Sequence, residues 1–473
     1  MAPGAQQGGE RHEEGDDEVD AALITAWIDE HVGGRVTALI RQPRWRPVWF
    51  ARVERDHETL ELCIRGERVD TPGLFPLRHE MVVQQLLEER GIAVPHVYGW
   101  CDQPPSYVME RVPGSNDFSG ASDDERESVM EDYLAILAAV HALDVEPFQD
   151  AGVPRAPTPA ESGLVGMQAY ERLYRSQKRR PDPFLEFCLG WLARNPLDNH
   201  GRESVVVWDS GQFHHQDGAI TGVLDLELAH IGDPLMDLAA FRQRDTIIGY
   251  GEPWALYERY AELSGTHVDL DAIRYYHFAF TLANQLAFHG ALADPPPGSD
   301  YMTNLQWCCE TNRFAVEALA DILSLDLPER DLPEGDLSDA ERAEMEFPEA
   351  RTSPGVVGHK HLVEILRHAT AADEFGQYRL RGGFRLARHL QRLDEIGDAV
   401  VDADLDDLHA LLGERPTTWE QGDAALEAYV LADDGRNDEA LVMLFHRRLT
   451  RAQLLLGPPG SAMTKHHRVA PID

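Results

Sequence analysis

Two short apolar runs in the middle of the sequence each lead directly into acidic side chains. The run Val205–Trp208 is followed by Asp209, and the run Ile220–Leu224 is followed by Asp225. Between the runs lies the turn-forming pair Asp217-Gly218, which predicts a β-hairpin. The open end of such a hairpin would hold the two carboxylates side by side.

Carboxylates in this arrangement suit the transfer of a phosphoryl group from a nucleotide to a hydroxyl. One carboxylate would accept the hydroxyl proton, while the other, together with an amide oxygen, would hold Mg²⁺ on the phosphates. We therefore interpret Asp209 as the base and Asp225 with Gln212 as the magnesium ligands. Glu227 either contacts a second metal ion or forms a salt bridge.

Other readings of these residues stay open at this point. Asp209 taken alone could be a helix cap or a surface acid. Asp233 and Asp237 are more readily explained as groups that cap and brace the next helix than as substrate contacts. The His214-His215 pair, with His230 nearby, could form a transition-metal site, but a histidine pair in a turn is usually only solvated.

A signature downstream of the hairpin carries a family resemblance. After Asp225 and Glu227 the chain reads Gly232-Asp233-Pro234 and then Asp237-Leu238-Ala239. Over about residues 35 to 325 the sequence resembles the aminoglycoside phosphotransferase and choline-kinase-like small-molecule kinases, which are relatives of the protein kinases. The resemblance implies ATP and Mg²⁺ as cofactors, and it puts Asp209 near the catalytic-loop aspartate and Asp225 on the metal-binding aspartate.

The catalytic loop departs from the family pattern His-x-Asp-x-x-x-x-Asn. With Asp209 as the aspartate, Val207 stands at the histidine position, and Gln212 aligns with the asparagine only if the loop is two residues shorter. Without that gap, Val207 falls on the aspartate and Val205 on the histidine, and the general base would be absent. Both alignments stay open.

The resemblance also assigns nucleotide-binding residues in the N-terminal part. Arg65 stands where this fold places a strand lysine, and Glu80 on the next helix is its expected ion-pair partner, although the two could form an ordinary surface pair. Met109 and Arg111 fall where the inter-lobe hinge would offer backbone groups to adenine. The segment Arg41–Pro47 occupies the place of the glycine-rich phosphate loop.

Composition narrows the classes of partner. The chain has 473 residues, with 43 Lys plus Arg against 82 Asp plus Glu and a formal net charge of −39. Such a charge repels nucleic acid and anionic membranes, and it suits either solubility or a cationic substrate. Five cysteines without a Cys-x-x-Cys pair, and an N-terminus unlike a signal peptide, indicate a cytoplasmic protein.

We expect an α+β, two-lobed, protein-kinase-like fold with an additional all-helical C-terminal domain. The apolar patterns predict hairpins at 48–64 and 97–109, mainly helices up to 325 apart from the central hairpin, and about five helical segments after 362 separated in part by Gly382-Gly383. The predicted organisation is an acidic disordered tail (1–20), a nucleotide-binding lobe (21–112), a catalytic lobe (113–325), an acidic proline-containing linker (326–355) and a helical domain of unknown role (356–473).

The expected function is ATP- and Mg²⁺-dependent phosphorylation of a hydroxyl on a small molecule. A pseudokinase that binds a nucleotide or metabolite without transferring phosphate is the alternative, because the histidine is replaced and no glycine-rich loop is visible. Aminoglycosides, choline-like molecules, sugars, macrolides and amino alcohols fit the residues equally well. The sequence indicates neither the oligomeric state nor a preference between ATP and GTP.

Overall fold

A computed structural model describes residues 14–44, 46–68, 72–296, 299–328, 353–456, 469 and 472. Its N-terminal part is a five-stranded antiparallel sheet in the order β1-β2-β3-β5-β4. The strands are β1 (Arg35–Arg41), β2 (Val48–Arg55), β3 (Glu58–Gly66), β4 (Val97–Asp102) and β5 (Pro105–Glu110). Pairing of β2 with β3 and of β4 with β5 agrees with the two hairpins predicted from the sequence.

Two helices cover the opposite faces of this sheet, namely α1 (Glu14–His31) and α2 (Leu77–Glu88). Because side chains alternate along a strand, β2 directs Trp49 toward the apolar cluster of α1 and Val48 toward the cluster of α2. Strand β1 was not expected from the sequence. It is an edge strand with mainly half-buried or exposed side chains, so it lacks the alternation that marks a strand with one buried face.

The start of α1 differs from the expected tail. Helix α1 begins at Glu14, so residues 14–20 are helical, whereas the acidic composition predicted a disordered tail through residue 20. Acidic residues are also favoured in the first turn of a helix because they interact with its dipole, so that composition fits both outcomes. The remainder of the expected tail, residues 1–13, lies outside the described residues.

The second part is mainly helical and carries two small β-ladders. Its helices are α3 (Asp123–His141), α4 (Glu146–Asp150), a 3₁₀ turn (Pro159–Leu164), α5 (Val165–Gln177), α6 (Pro183–Arg194), α7 (Leu235–Ile248), α8 (Pro253–Ser264), α9 (Leu270–Thr281), α10 (Ala283–Ala293) and α11 (Tyr301–Leu323). Its strands are β6 (Ser204–Val206), β7 (Phe213–Gln216), β8 (Ala219–Val223) and β9 (His230–Gly232).

The central hairpin is built differently from the prediction. Strand β8 pairs with β7 across the Asp217-Gly218 turn, and β6 pairs with β9 instead. The sequence did not reveal β7 because histidine replaces an apolar residue at a buried position, His215. Asp209 nevertheless precedes β7 and Asp225 follows β8, so both acids lie at the open end of the hairpin as expected.

The described part of the C-terminal region forms the helices α12 (Val356–His368), α13 (Glu374–Leu412), α14 (Trp419–Ala432) and α15 (Asp438–Leu454). The predicted interruption at Gly382-Gly383 is wrong, because both glycines lie inside the 39-residue helix α13. A glycine within a helix costs only about 1 kcal/mol relative to alanine, so a long helix can tolerate two. Of the predicted linker, residues 329–352 lie outside the described residues.

These C-terminal helices share an apolar core with the mainly helical part. The ring of Phe445 on α15 lies 5.3 Å from that of Phe184 and 5.4 Å from that of Phe187, both on α6. At the other end, Arg41 of β1 stacks over Phe375 of α13, 4.8 Å from the ring centre. The domain boundaries stay predictions, but the C-terminal helices pack against both preceding parts.

We expect Phe445→Ala to destabilise this combined core by about 3–5 kcal/mol, since the side chain is 2% exposed and its loss leaves a cavity. Denaturant unfolding followed by circular dichroism measures the change, with Leu431→Ala as the control because Leu431 is 63% exposed on α14. Two separate transitions, with only one displaced by Phe445→Ala, would show instead that the C-terminal helices unfold on their own.

None of the helices within the described residues combines the length and the apolar character that crossing a membrane requires.

Candidate active site

The loop between β6 and β7 is fixed by a buried carboxylate on α7. Asp237 is fully buried, and its oxygens accept hydrogen bonds from the backbone N–H of Val207 (3.0 Å) and of Trp208 (2.6 Å). His141 Nε2 lies 3.0 Å from the same carboxylate. Asp237 therefore braces the chain immediately before Asp209. The sequence interpretation had it cap and brace the following helix, whereas its carboxylate lies within α7 and accepts hydrogen bonds from the preceding loop.

The backbone of the site residues takes left-handed conformations. Trp208 has φ 60° and Asp225 has φ 62°, a conformation that is uncommon for residues other than glycine and that clusters at functional sites. Gly211 has φ +85°, and a Cβ atom there would lie 2.5 Å from the Tyr250 hydroxyl oxygen. The loop therefore needs glycine at this position for both conformation and space.

Both carboxylate oxygens of Asp209 are hydrogen-bonded. Arg244 Nη2 on α7 donates to Oδ1, and Gln212 Nε2 donates to Oδ2 at 2.8 Å. Burial raises the pKa of Asp209 and nearby Asp225 adds to the increase, while Arg244 opposes it. Val207, the alternative residue for the base position, is 4% exposed and packs in the apolar core.

Asp225 pairs with Arg65 from the N-terminal sheet. Arg65 Nη2 donates to Asp225 Oδ1, and Arg65 Nε donates to Glu80 Oε2 at 2.9 Å. The expected pair of Arg65 with Glu80 is thus present, and it is buried rather than on the surface. Burial alone would raise the pKa of Asp225, but Arg65, and to a smaller extent Arg46, holds it well below its usual range.

Two further arginines hold Glu227. Arg46 Nη2 lies 2.8 Å from Glu227 Oε2, and Arg68 Nη2 donates to Glu227 Oε1. Burial alone would raise the pKa of Glu227, whereas Arg46 and Arg68 lower it. Glu227 forms salt bridges, as one of the two sequence interpretations had it.

Sequence reasoning missed three of the four arginines at this site as partners of the acids. Arg46 was noted only as part of the segment in the place of a phosphate loop, and Arg68 and Arg244 were not singled out. Arg244 follows Asp237 by seven residues on one helix, and this spacing puts both on one face. That spacing was the available signal for Arg244, whereas Arg68 meets Glu227 across 159 positions of sequence.

The carboxylates also meet the requirements of a hard metal ion. Oxygen atoms of Glu80, Asp225 and Glu227 lie within 4.8 Å of one another, and carboxylate oxygens are the ligands that Mg²⁺ prefers. Gln212 lies beside this group, since its backbone carbonyl accepts from Leu224 N–H at 2.9 Å. The residues present therefore fit a magnesium site, with Glu80 as a member that the sequence had placed only as the partner of Arg65.

Met109 and Arg111, the residues expected to contact adenine, are engaged within the N-terminal sheet. The Met109 side chain is buried in the cluster of α2, and the N–H of Arg111 donates to the Glu61 carbonyl at 2.9 Å. The guanidinium of Arg111 stacks over Phe50, 3.9 Å from the ring centre. The Arg111 N–H is therefore engaged because hydrogen bonding of the sheet continues past β5, and the use of backbone groups at Met109 and Arg111 to bind adenine stays a prediction.

The histidines do not gather into a metal site. His215 stacks on Phe118 at 4.4 Å between ring centres, and His230 Nδ1 lies 2.9 Å from the Leu228 carbonyl oxygen. Among the described residues, the one group of acidic, histidine or cysteine side chains close enough to hold a metal is the carboxylate group of Glu80, Asp225 and Glu227.

One segment of the chain matches a known family model. Residues 75–276 match the model of the phosphotransferase enzyme family, which confirms the family resemblance for that segment and supports a phosphotransferase enzyme. The expected combination of a β-sheet with helices, followed by a helical C-terminal region, is confirmed as well. The matched segment includes Glu80, Asp209 and Asp225, whereas Arg65 precedes it.

Curated relatives match over a similar length. Rat acyl-CoA dehydrogenase family member 11 is 30% identical over 241 residues, and the human protein of the same name is 26% identical over 245 residues. These matches cover 46% and 47% of this chain. They span only 30% of the length of each relative.

Matches among solved structures include a macrolide phosphotransferase and a choline kinase. The macrolide 2′-phosphotransferase MphH of Brachybacterium faecium is 20% identical with a TM-score of 0.41, and the match covers 66% of this chain and 99% of that chain. The choline kinase LicA of Streptococcus pneumoniae is 15% identical with a TM-score of 0.46, and the match covers 63% and 98%.

Proposed function

We propose that this protein transfers a phosphoryl group from ATP, with Mg²⁺, to a hydroxyl of a small molecule. The observation that carries the proposal is the position of Arg65, whose guanidinium links Glu80 of α2 to Asp225 of the central hairpin. This contact joins the N-terminal sheet to the acids of the catalytic loop. Phosphate-binding cations from one part of the chain, paired with metal-binding acids from the other, suit a nucleoside triphosphate.

The metal would be held by Asp225 and Glu227, with Gln212 beside them. Bound there, Mg²⁺ supplies positive charge to the phosphate oxygens. Arg65 can bind two phosphate oxygens at once through its planar guanidinium, which makes it a workable replacement for a strand lysine. Its present contacts with Glu80 and Asp225 must rearrange when phosphates enter.

Asp209 acts on the acceptor. Its carboxylate takes the proton of the attacking hydroxyl as the acceptor oxygen bonds to the γ-phosphorus. The bond from that phosphorus to the β–γ bridging oxygen breaks, and its electron pair leaves with ADP. Because the transition state of such a transfer is loose, positioning and charge neutralisation do most of the work.

The acceptor is proposed only as a small hydroxylated molecule, and nucleic acid and membranes are not proposed partners. The overall charge of −39 would attract a cationic acceptor. All five cysteines are buried and unpaired, which fits a reducing compartment, and a cytoplasmic location is part of this proposal.

One observation favours the alternative of a binding protein without transfer. Asp225 and Glu227 are both engaged by arginines, and such pairing could be a permanent structural feature instead of a state that nucleotide displaces. Binding of MgATP is compatible with both readings. Only transfer to an acceptor separates them.

Replacement of Arg65 tests the nucleotide site. We expect Arg65→Ala to weaken binding of MgADP by about 10-fold or more, because a charge-assisted hydrogen bond contributes roughly 1.5–3 kcal/mol. The MgADP affinity of Arg65→Lys is expected to lie between those of wild type and Arg65→Ala, since lysine keeps the positive charge but lacks the planar guanidinium. Isothermal titration calorimetry measures the affinity.

Arg52→Ala is the matched control. It removes an arginine from an exposed pair with Glu61 (2.7 Å) in the same sheet. Equal MgADP affinity in wild type and Arg65→Ala, with the fold intact, would argue against a phosphate contact at Arg65.

A further inference from the structure

Helix α7 presents two charged residues to the catalytic loop from one face. Asp237 and Arg244 are seven residues apart, which is two turns or about 10 Å along the helix axis. Asp237 binds the loop's backbone N–H groups, and Arg244 binds the carboxylate of Asp209. One rigid element therefore fixes the loop and also brings a cation to the proposed base.

The other arginines of the site pair with different acids. Arg46, Arg65 and Arg68 come from the N-terminal sheet and its loops, and their ion pairs are with Glu80, Asp225 and Glu227. In the part of the chain that the structure describes, Arg244 is the basic side chain paired with Asp209. Arg244 thus brings positive charge next to the proposed base.

Arg244 is not needed simply to orient Asp209. Gln212 holds the second oxygen of Asp209, and Asp237 holds the adjoining backbone. The Arg244 Nε–H is buried and has no hydrogen-bond partner among the described residues, while 26% of the side chain is exposed. The guanidinium thus keeps donor capacity beside the base.

We propose that Arg244 is a further catalytic residue, which binds the transferred phosphoryl group and neutralises its charge between ADP and the acceptor. This inference rests on the proposed phosphotransfer. During the transfer, negative charge spreads over the three equatorial oxygens of the phosphoryl group. A guanidinium with one arm on Asp209 has further N–H groups for one of those oxygens, and it lies where acceptor and phosphoryl group must meet.

Nucleotides that differ only in the γ-position test this contact without knowledge of the acceptor. We expect Arg244→Ala to bind AMP-PNP with Mg²⁺ at least about 10-fold more weakly than wild type, because a charge-assisted hydrogen bond is lost. Binding of MgADP, which lacks the γ-phosphoryl group, should be unchanged. Hydrolysis of ATP, with water as the acceptor, should fall by about 10²-fold, the usual loss for one donor to developing charge.

Two variants and a folding check complete the design. Arg244→Lys should recover part of the AMP-PNP affinity, because it keeps the charge. Arg259→Ala removes an arginine of α8 from an exposed pair with Glu131 of α3. It should change neither the affinity for MgADP nor that for AMP-PNP with Mg²⁺. Thermal unfolding of each variant shows whether the fold is retained. If Arg244→Ala does not fold, the affinities of Arg244→Lys for the two nucleotides are used instead.

The outcomes separate this inference from the proposed function. If wild type binds both nucleotides and the Arg244 variants bind AMP-PNP as tightly as wild type does, Arg244 does not contact the γ-phosphoryl group and the inference is overturned. An equal loss of affinity for ADP and AMP-PNP would overturn it as well, since it would show a general effect on the site. If wild type binds neither nucleotide, the proposed function fails and the inference fails with it.

Discussion

Asp225→Ala is expected to lower phosphoryl transfer by on the order of 10⁴-fold, since neutralisation of phosphate charge by a bound metal contributes several kcal/mol. Asp225 lies at the centre of the carboxylate group with Glu80 and Glu227. Its pKa is held well below its usual range, chiefly by Arg65 against the effect of burial. The carboxylate is therefore ionised at neutral pH, as a metal ligand must be.

The loss of Asp225 also leaves Arg65 without one of its partners, so stability must be measured beside activity. Asp225→Asn keeps the size of the side chain and should lose activity to a similar degree, because an amide offers one neutral oxygen in place of a charged pair. Asp102→Ala is the matched control, since it removes an aspartate from an exposed pair with Arg78 (2.9 Å). Transfer at the wild-type rate in a folded Asp225→Ala protein would contradict the metal role.

Asp209→Asn is expected to lower kcat by about 10³-fold, which is a common contribution of a general base. Nucleotide binding should persist, because Asp209 acts on the acceptor and Arg65 on the phosphates. Asparagine can still accept a hydrogen bond from Arg244. The asparagine NH₂ group would face the NH₂ group of Gln212, and rotation of the Gln212 amide by 180° would let the Gln212 oxygen accept instead. With that rotation the loop can keep its shape.

Steady-state kinetics with calorimetry separates these two effects. A variant that keeps MgADP affinity and loses turnover identifies Asp209 as the base. Asp132→Asn offers a control, since Asp132 on α3 accepts a hydrogen bond from the backbone N–H of Ile220 on β8 and has no other hydrogen-bond donor among the described residues. Unchanged kcat in Asp209→Asn would show that the base is absent or lies elsewhere, as the alignment that puts Val207 in this position implies.

The positions of the two central aspartates could be predicted because they depend on short-range sequence. Asp209 and Asp225 flank a hairpin whose turn is marked by Asp217-Gly218, so the hairpin alone brings them to one end. The signature that contains Asp237 begins shortly after Asp225 in the sequence. In the fold, Asp237 contacts the loop immediately before Asp209. Such local patterns predict the positions of the acids correctly, although the strand that pairs with β8 was predicted incorrectly.

The ion pairs between the arginines and the hairpin acids could not be predicted in the same way. Arg65 and Arg68 meet Asp225 and Glu227 across about 160 residues of sequence, and such pairs depend on how the sheet docks on the helical part. Composition gave no signal for them, because a chain with 82 acids contains many possible partners for each arginine. The packing of Phe445 against Phe184 of α6 likewise depends on tertiary contacts between segments far apart in the sequence.

The hinge shows a third limit. Met109 and Arg111 were assigned from the order of elements, but the use of a backbone N–H depends on which strand edge is paired. The Arg111 N–H is bound to Glu61, one residue beyond the end of β5. Extensions of this size lie within the usual uncertainty of strand ends, so sequence order alone could not reveal which N–H groups are engaged.

Transfer of phosphate from ATP to a small hydroxylated molecule can be measured directly as labelled product. Wild type and Asp225→Ala are incubated with γ-labelled ATP, Mg²⁺ and a panel of hydroxylated small molecules that includes amino sugars, choline-like alcohols and macrolides. We predict labelled product from at least one acceptor with wild type and none with Asp225→Ala. No labelled product from any acceptor, together with no Mg²⁺-dependent nucleotide binding, would contradict the account.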